Sequence, residues 1–261
     1  MARRRTETKL PSPFLQHLAI LPDKLAEQSG YPFDLPWVRD PEFTLRFTTP
    51  VTIIVGENGT GKSTLIEAIA ALSGYDEAGG GKGYRPVDHS TAIDVSGAGL
   101  ADVMRAGWLP KVTDGWFFKA ETFFSVARYL DDAAREGGGP APDFLSWSHG
   151  EGFVRFFEER MSRQGIYFMD EPESALSPKR QLELLRVLHG IQERAHAQVI
   201  MATHSPILMA LPGARVLQIT RHGIHDVDYR DTAHFKLYQS FTVDPEEFIA
   251  EALRDPTDSQ F

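Results

Sequence analysis

One segment of the sequence combines glycines, a lysine and hydroxyl residues in a spacing suited to phosphate binding. Residues 56–64 read Gly-Glu-Asn-Gly-Thr-Gly-Lys-Ser-Thr and match the pattern G-x-x-x-x-G-K-[ST]. The apolar run Val51–Val55 precedes this segment and a helical pattern follows it, which is the context that the pattern requires. The predicted phosphate-binding residues are Gly56, Glu57, Asn58, Gly59, Thr60, Gly61, Lys62, Ser63 and Thr64. Glycines let the backbone wrap around phosphate oxygens, and amide groups at the helix start point at the anion.

A second segment places two carboxylates directly after an apolar run. Residues 166–172 read Ile-Tyr-Phe-Met-Asp-Glu-Pro, so Asp170 and Glu171 follow a predicted buried strand. Ligands bind at the carboxyl ends of the strands in open α/β sheets. We therefore expect Asp170, together with Ser63, to hold Mg²⁺, and Glu171 to polarise an attacking water.

His204 follows another apolar run, Val199–Ala202, in the sequence Thr-His-Ser-Pro. An imidazole at that sheet edge can donate a hydrogen bond to a γ-phosphate and hold the geometry of water and carboxylate. A single histidine is more often structural, so this role depends on the neighbouring motifs.

Ser148 opens the helical pattern Phe153–Arg163 and leaves two interpretations open. A serine beside free amide groups at a helix start can bind an anion. The same serine can instead cap the helix, with Glu151 completing a capping box, and the local residues alone favour that cap.

Short apolar runs between turn residues predict the strands that would hold these side chains. They lie at Phe14–Leu21, Thr44–Phe47, Val51–Val55, Trp116–Lys119, Ile166–Met169, Val199–Ala202 and Val216–Ile219. Helical patterns alternate with them at Lys62–Leu72 and Pro178–His196. The alternation predicts an α/β fold with a mostly parallel sheet, and the closely spaced early strands predict an antiparallel region before residue 56.

The length of 261 residues and the ordinary apolar content favour one large domain, which we place at 11–261 behind a flexible tail at 1–10. Glycine-rich loops bracket a stretch of weaker pattern, so we expect a helical insertion over about 84–164. The chain has no cysteine and no run of about 18 apolar residues, which predicts a cytoplasmic protein without disulfides or a membrane span. The net charge of −9 argues against a chain-wide phosphate-binding surface.

Taken together, the four motifs resemble the ATP-binding-cassette (ABC) class of P-loop ATPases. In that class a serine-glycine signature precedes the acidic strand and a switch histidine follows it, and the chain places Lys62, Ser148, Asp170 and His204 in this order. The resemblance implies an ABC-type nucleotide-binding domain. It also implies that Ser148 and Gly150 form the signature, which in this class closes over ATP held by another subunit, so that a head-to-tail homodimer forms.

By the same resemblance, the activity is ATP hydrolysis with ATP and Mg²⁺ as cofactors, and Lys62, Glu171 and His204 are the catalytic residues. The chain departs from the class where the lid glutamine is usual, since Lys119 or Glu121 stands near that position. Its motifs are similar to those of the soluble branch that contains chromosome-maintenance, RecF-type and lysogenization-defect ATPases. That branch implies DNA maintenance or phage defence, with a nucleic acid or protein partner, while service to a membrane subunit stays open.

Two other functions fit a phosphate loop. A P-loop kinase would transfer phosphate to an acceptor without a signature, and a non-hydrolysing switch would use nucleotide-driven dimerisation as its output. Tyr31 or Phe33, upstream of the loop, could stack on adenine, although aromatic residues in a Pro-rich loop more often pack. His222, His225 and His234 could be read as a metal cluster, but a solvated hairpin explains them better.

Overall fold

A central sheet dominates the computed structural model, which describes residues 8–77, 79–82, 97–120 and 149–254; in these ranges the sheet has seven strands. In spatial order they are β10 (Gly223–Asp226), β9 (Arg215–Thr220), β3 (Val51–Val55), β8 (Ala197–Ala202), β7 (Gly165–Asp170), β6 (Gly115–Lys119) and β4 (Gly80–Gly81). The five middle strands run parallel, and the two outer strands, β10 and β4, pair antiparallel with their neighbours.

A smaller antiparallel sheet lies over one face of the central sheet. Its strands are β2 (Thr44–Arg46), β1 (Leu15–Ile20) and β5 (Met104–Trp108), with β1 in the middle. Leu18 and Leu45 of this sheet belong to the same apolar cluster as Ile54 and Phe168 of the central sheet.

Helices connect the parallel strands, as crossover connections between parallel strands require. The α-helices of the described ranges are α1 (Pro22–Leu25), α2 (Lys62–Ser73), α3 (Gly97–Asp102), α4 (His149–Met161), α5 (Pro178–Arg194), α6 (Pro206–Met209), α7 (Ala233–Val243) and α8 (Pro245–Ala252). None of these helices is long and apolar enough to cross a membrane.

Two apolar clusters cover the two faces of the central sheet. Ile54 and Phe168 pack with Leu65 of α2 on one face, whereas Ile53 on the opposite face joins a cluster that contains Phe153 of α4. Successive side chains of a strand point to opposite faces, so a strand covered on both faces is apolar throughout. Every residue of β3, β7 and β8 is buried accordingly.

The predicted α/β fold with a mostly parallel sheet is confirmed, and so is the antiparallel N-terminal region. The predicted strands occur, with ends that differ from the prediction by at most two residues. The range 84–164, which is predicted to be a helical insertion, contains the strands β5 and β6. These residues form strands because they pair with β1 and β7. Of the predicted tail, residues 1–7 lie outside the described residues.

Candidate active site

The phosphate-loop segment joins β3 to α2, as its motif predicts, and two of its glycines are required by the backbone. Gly56 has φ 154°, and a Cβ atom there would lie 2.6 Å from the carbonyl oxygen of Ile219. Gly61, the residue before α2, has φ 91°, and a Cβ atom there would lie 2.8 Å from Cδ1 of Leu35. Both positions therefore combine a positive φ with a close contact to an added Cβ atom, which is made by backbone at Gly56 and by the Leu35 side chain at Gly61.

The side chain of Lys62 contacts the backbone of the phosphate loop that precedes it. Its side chain is only 4% exposed, and Nζ donates a hydrogen bond of 3.1 Å to the carbonyl oxygen of Glu57. Burial lowers the pKa of Lys62, while the negative charges of Glu171 and Asp170 act in the opposite direction. The ammonium group thus lies between the loop backbone and two carboxylates, where an anionic ligand would compensate its desolvation.

Ser63 and Asp170 lie side by side at the carboxyl ends of the strands. The Ser63 hydroxyl donates a hydrogen bond of 3.1 Å to Oδ1 of Asp170. Burial raises the pKa of Asp170 to about 7, although Lys119 and the Ser63 hydrogen bond favour the ionised form. A hydroxyl beside a poorly solvated carboxylate is an oxygen donor pair that fits Mg²⁺.

The donor set also fits a metal that is held chiefly by a nucleotide. Within the described ranges, no group of three or more His, Cys, Asp or Glu side chains is placed so that it could hold a metal ion. Mg²⁺ commonly binds through one or two protein oxygens, with substrate phosphates and water as its remaining ligands. Ser63 and Asp170 therefore suit a metal that arrives with a triphosphate.

Glu171 and His204 face each other beside this pair. Glu171 has φ 47° and ψ 54°, a left-handed conformation that is costly for a residue with a side chain and that occurs frequently at functional sites. Its Oε1 lies 3.4 Å from Nε2 of His204, without hydrogen-bond alignment. The neighbouring imidazole of His204 is the main cause that keeps the pKa of Glu171 below its usual value, and Lys62 contributes. Glu171 is thus held ionised, as a proton acceptor must be.

Glu173 fixes the segment that carries His204. Its Oε1 accepts a hydrogen bond of 2.5 Å from the His204 backbone N–H, and its Oε2 accepts one of 2.7 Å from the Thr203 hydroxyl. No role for Glu173 was predicted from the sequence. The only signal for it was its place in the Asp-Glu-Pro-Glu segment, two residues after Glu171.

Lys119 occupies the end of β6, directly opposite Asp170 in the β6–β7 pairing. It lines a cavity of about 280 Å³ together with Ser63, Asp170 and Glu171, and its Nζ forms a 2.6 Å ion pair with Glu67 of α2. Glu121, the other candidate for the lid position, lies outside the described residues.

The structure places Lys62, Ser63, Asp170, Glu171 and His204 around one site. Only one of the two predicted signature residues is described. Ser148 lies outside the described residues, while Gly150 belongs to the first turn of α4. Helix α4 packs on the sheet face opposite to α2, through apolar side chains such as Phe153.

The residues that were candidates for adenine stacking and for a metal cluster lie in different parts of the structure. Tyr31 is 60% exposed, and its hydroxyl lies 2.5 Å from the Thr64 hydroxyl, at the start of α2. His222 and His225 are exposed residues of the β9–β10 hairpin. His234 lies apart from them, on α7, where it contacts His204. The three histidines therefore do not form the metal cluster that was considered.

Two family models match the chain on either side of its middle segment. Residues 36–109 match "AAA domain", and residues 152–210 match "AAA domain, putative AbiEii toxin, Type IV TA system". The first match contains the phosphate loop, and the second contains Asp170, Glu171 and His204.

Two curated relatives are ATP-binding proteins. The thiamine import ATP-binding protein ThiQ of Cereibacter sphaeroides is 27% identical over 195 residues, which is 65% of this chain and 79% of ThiQ. The zinc import ATP-binding protein ZnuC of Vibrio cholerae is 26% identical over 185 residues, which is 66% of this chain and 63% of ZnuC. The chain thus spans less than two thirds of ZnuC.

Among solved structures, the chain is similar to the SMC head domain from Thermotoga maritima. The sequence identity is 16%, the alignment covers 71% of this chain and 92% of the head domain, and the TM-score is 0.39.

Proposed function

We propose that this chain, an ABC-type P-loop ATPase, binds ATP with Mg²⁺ and hydrolyses it to ADP and phosphate. The observation that carries the proposal is the Glu171–His204 contact of 3.4 Å beside the Ser63–Asp170 hydrogen bond and the buried Lys62. A phosphate-binding lysine, a metal-binding oxygen pair and an ionised proton acceptor are the groups that phosphoryl transfer to water requires.

Binding of the triphosphate would use the loop 56–61 and Lys62. The Lys62 ammonium, which donates to the Glu57 carbonyl oxygen in the free protein, would turn to the β- and γ-phosphates. Backbone N–H groups at the start of α2 would donate to the same oxygens. The exposed ring of Tyr31 next to Thr64 is a candidate to contact the base.

Ser63 and Asp170 would hold the metal, whose chemistry when bound is to neutralise the charge that develops on the phosphates. Glu171 would accept a hydrogen bond from the attacking water and take its proton as the water oxygen bonds to the γ-phosphorus. The bond from that phosphorus to the β–γ bridging oxygen breaks, and ADP leaves with the electron pair. His204 would donate to the γ-phosphate from Nε2, which faces Glu171.

A second copy of the chain would complete each site. The site opens at a sheet edge where the side chain of Glu171 is 39% exposed and that of His204 is 23% exposed. Helix α4, which begins directly after Ser148 and carries Gly150, packs on the sheet face opposite to α2. We infer that Ser148 and Gly150 contact the γ-phosphate held by a partner, in a head-to-tail homodimer with two ATP molecules.

The process that the ATPase drives is proposed to be DNA maintenance or phage defence. The motifs of the soluble branch and the toxin–antitoxin description of the family model at 152–210 favour this class of process. The importer names of ThiQ and ZnuC support a membrane subunit as the alternative partner. ATP turnover measured with and without duplex DNA separates these possibilities. A role in DNA maintenance or phage defence predicts that DNA stimulates turnover, whereas a membrane subunit as partner does not.

The hydrolysis proposal is tested with Glu171→Gln, which keeps the shape of the side chain and removes its basicity. We expect this variant to bind ATP with unchanged affinity, to release phosphate at least about 100-fold more slowly and to accumulate as a dimer. The matched control is Glu246→Gln, an exposed change on α8. Wild-type turnover in Glu171→Gln would contradict the assignment of the base, and phosphate transfer only to an added acceptor would indicate a kinase.

A further inference from the structure

The imidazole of His204 contacts a second imidazole on its far side. Nδ1 of His204 lies 2.8 Å from Nε2 of His234, and the ring centroids are 4.7 Å apart with the planes tilted by 58°. His204 therefore lies between two groups, with Glu171 at Nε2 and His234 at Nδ1.

The helix cap that precedes it fixes the position of His234. Thr232, which is 1% exposed, caps α7: its hydroxyl accepts a hydrogen bond from the N–H of Phe235 and donates one to the carbonyl oxygen of Tyr229. His234 is the second residue of this helix. A buried cap with both of its hydrogen bonds made leaves the first turn of α7 little freedom to move.

The contact with Glu171 determines where the proton of His204 lies. Nε2 of His204 is buried without an aligned hydrogen-bond partner, and the nearest oxygen of the Glu171 carboxyl group, Oε1, lies 3.4 Å away. A nitrogen lone pair at that distance would repel the carboxylate, whereas an N–H group is attracted to it. Nε2 therefore carries the proton, and Nδ1 of the neutral ring is a hydrogen-bond acceptor.

His234 must then be the donor in the hydrogen bond between its Nε2 and Nδ1 of His204. Burial lowers the pKa of His234, the charge of a protonated His204 and that of Lys62 act in the same direction, and Glu57 opposes them. The positive end of the α7 dipole also disfavours a cation at the second helical position. A neutral His234 with its proton on Nε2 satisfies all of these conditions.

We propose that His234 is a positioning residue for the switch histidine: its Nε2–H group donates to Nδ1 of His204 and thereby fixes the tautomer and ring orientation in which Nε2–H faces Glu171 and the terminal phosphate. The part that concerns phosphate rests on the proposed ATPase function. In general, the hydrogen bond that one ring nitrogen of a histidine makes determines which of the two nitrogens carries the proton.

The experiment compares His234→Ala, which removes the donor, with His234→Gln, whose amide can restore it. We expect His234→Ala to lower kcat about 5- to 10-fold with KM for ATP within about 2-fold, because one oriented hydrogen bond is lost while phosphate binding stays intact. His234→Gln should recover most of this loss. His225→Gln, a change of an exposed histidine, is the matched control. The double variant His204→Ala/His234→Ala should be no slower than His204→Ala alone.

A second readout uses the free protein and needs no turnover. In ¹⁵N-detected imidazole spectra of the wild type, Nδ1 of His204 should have the shift of an unprotonated nitrogen and Nε2 that of a protonated one. His234→Ala should change this to a mixture of tautomers, and His225→Gln should not.

The outcomes separate the two proposals. If the wild type does not hydrolyse ATP, the proposed function fails, and the nitrogen shifts alone decide the role of His234. A proton on Nδ1 of His204 in the wild type overturns the inference, and so does a tautomer that His234→Ala leaves unchanged, even if kcat falls. Circular dichroism of each variant verifies the fold; should His234→Ala unfold, the same measurements on His234→Phe, which retains an aromatic ring without a donor, replace it.

Discussion

Ser63 and Asp170, which are 107 positions apart in the chain, share a hydrogen bond of 3.1 Å. This contact brings together the two side chains that are predicted to hold Mg²⁺, before any metal is bound. The carboxylate is only 8% exposed, and its burial raises the pKa to about 7. The free protein therefore carries a poorly solvated acid at neutral pH, and a cation or a proton should stabilise it.

Removal of this charge should stabilise the free protein while it destroys the metal site. We expect Asp170→Asn to raise the free energy of unfolding at pH 8 by about 1–3 kcal/mol, because the buried carboxylate is no longer desolvated. Because the folded-state pKa of Asp170 exceeds that of the unfolded chain, the wild type should gain stability as the pH falls from about 8 towards 4, and the variant should lose this component. Urea unfolding at both ends of this range in the presence of a chelator measures the effect.

The control for that prediction is Asp23→Asn, since Asp23 is an exposed residue of α1. The Asp170→Asn variant should also show no stabilisation by Mg²⁺ with nucleotide, whereas the wild type should gain it by mass action. A variant that is less stable than the wild type at pH 8, with the control unchanged, would show that the Asp170 charge is compensated in the folded state.

The ion pair between Lys119 and Glu67 should be more important for stability than pairs at the surface. Both side chains are nearly buried, at 11% and 7% exposure, and the distance is 2.6 Å. We expect Glu67→Gln to cost about 3 kcal/mol, because it removes the carboxylate charge that lies 2.6 Å from a nearly buried ammonium. The pair Arg180–Glu183, with exposures of 24% and 22%, is the comparison, and Glu183→Gln should cost below about 1 kcal/mol.

A double-mutant cycle separates the charge interaction between Lys119 and Glu67 from the packing of the aliphatic parts of their side chains. Lys119→Met combined with Glu67→Gln should be more stable than Glu67→Gln alone, since the nearly buried cation that has lost the Glu67 charge is then absent. Strict additivity of the two single changes in chemical unfolding would mean that the two charges do not stabilise each other.

The sequence predicted those parts of the molecule that depend on local patterns. The strands β3, β7 and β8 are apolar because both faces are covered, and each delivers a motif to the sheet edge. The ABC-type P-loop class that was predicted from these motifs is confirmed by the two family models and the ATP-binding relatives. The roles of the individual site residues stay predictions.

Contacts between distant segments could not be predicted in the same way. Strand β5 was not identified, because its pairing with β1 depends on residues far away in the chain and not on its own alternation. The support of His204 by Glu173 and by His234 is equally a product of tertiary structure, since neither spacing corresponds to a known motif. The sequence marks Glu173 only as the last residue of Asp-Glu-Pro-Glu, and it contains nothing that pairs Glu173 or His234 with His204.

Gly61 should be more sensitive to substitution than another glycine with the same type of backbone. Gly61 and Gly30 both have positive φ, at 91° and 79°, so Gly→Ala imposes a similar backbone strain of about 1 kcal/mol at each. A Cβ atom at Gly61 also lies 2.8 Å from Leu35, whereas a Cβ atom at Gly30 has nothing within 4 Å. We expect Gly61→Ala to cost about 2 kcal/mol in total and to weaken ATP binding at least about tenfold, because the start of α2 is displaced.

The measurements are thermal unfolding and nucleotide titration of both variants. Gly30→Ala should retain ATP affinity. Equal losses of affinity in the two variants would indicate a general effect of backbone strain and would remove the special role of the contact at Gly61.

The proposed head-to-tail homodimer predicts that two defective chains can complement each other. Lys62→Ala removes the phosphate-binding cation, and Ser148→Arg blocks the predicted signature, so each variant alone should be inactive. In a mixed dimer, the intact loop of the Ser148→Arg chain meets the intact signature of the Lys62→Ala chain, which restores one of two sites. With free exchange of subunits, an equimolar mixture should reach about a quarter of the wild-type ATPase rate, since half of the dimers are mixed. Ser240→Arg, an exposed change on α7, is the control for the added arginine and should stay active alone. A mixture that stays inactive although light scattering shows mixed dimers would place the signature in the same chain as its nucleotide, and the head-to-tail arrangement would be wrong.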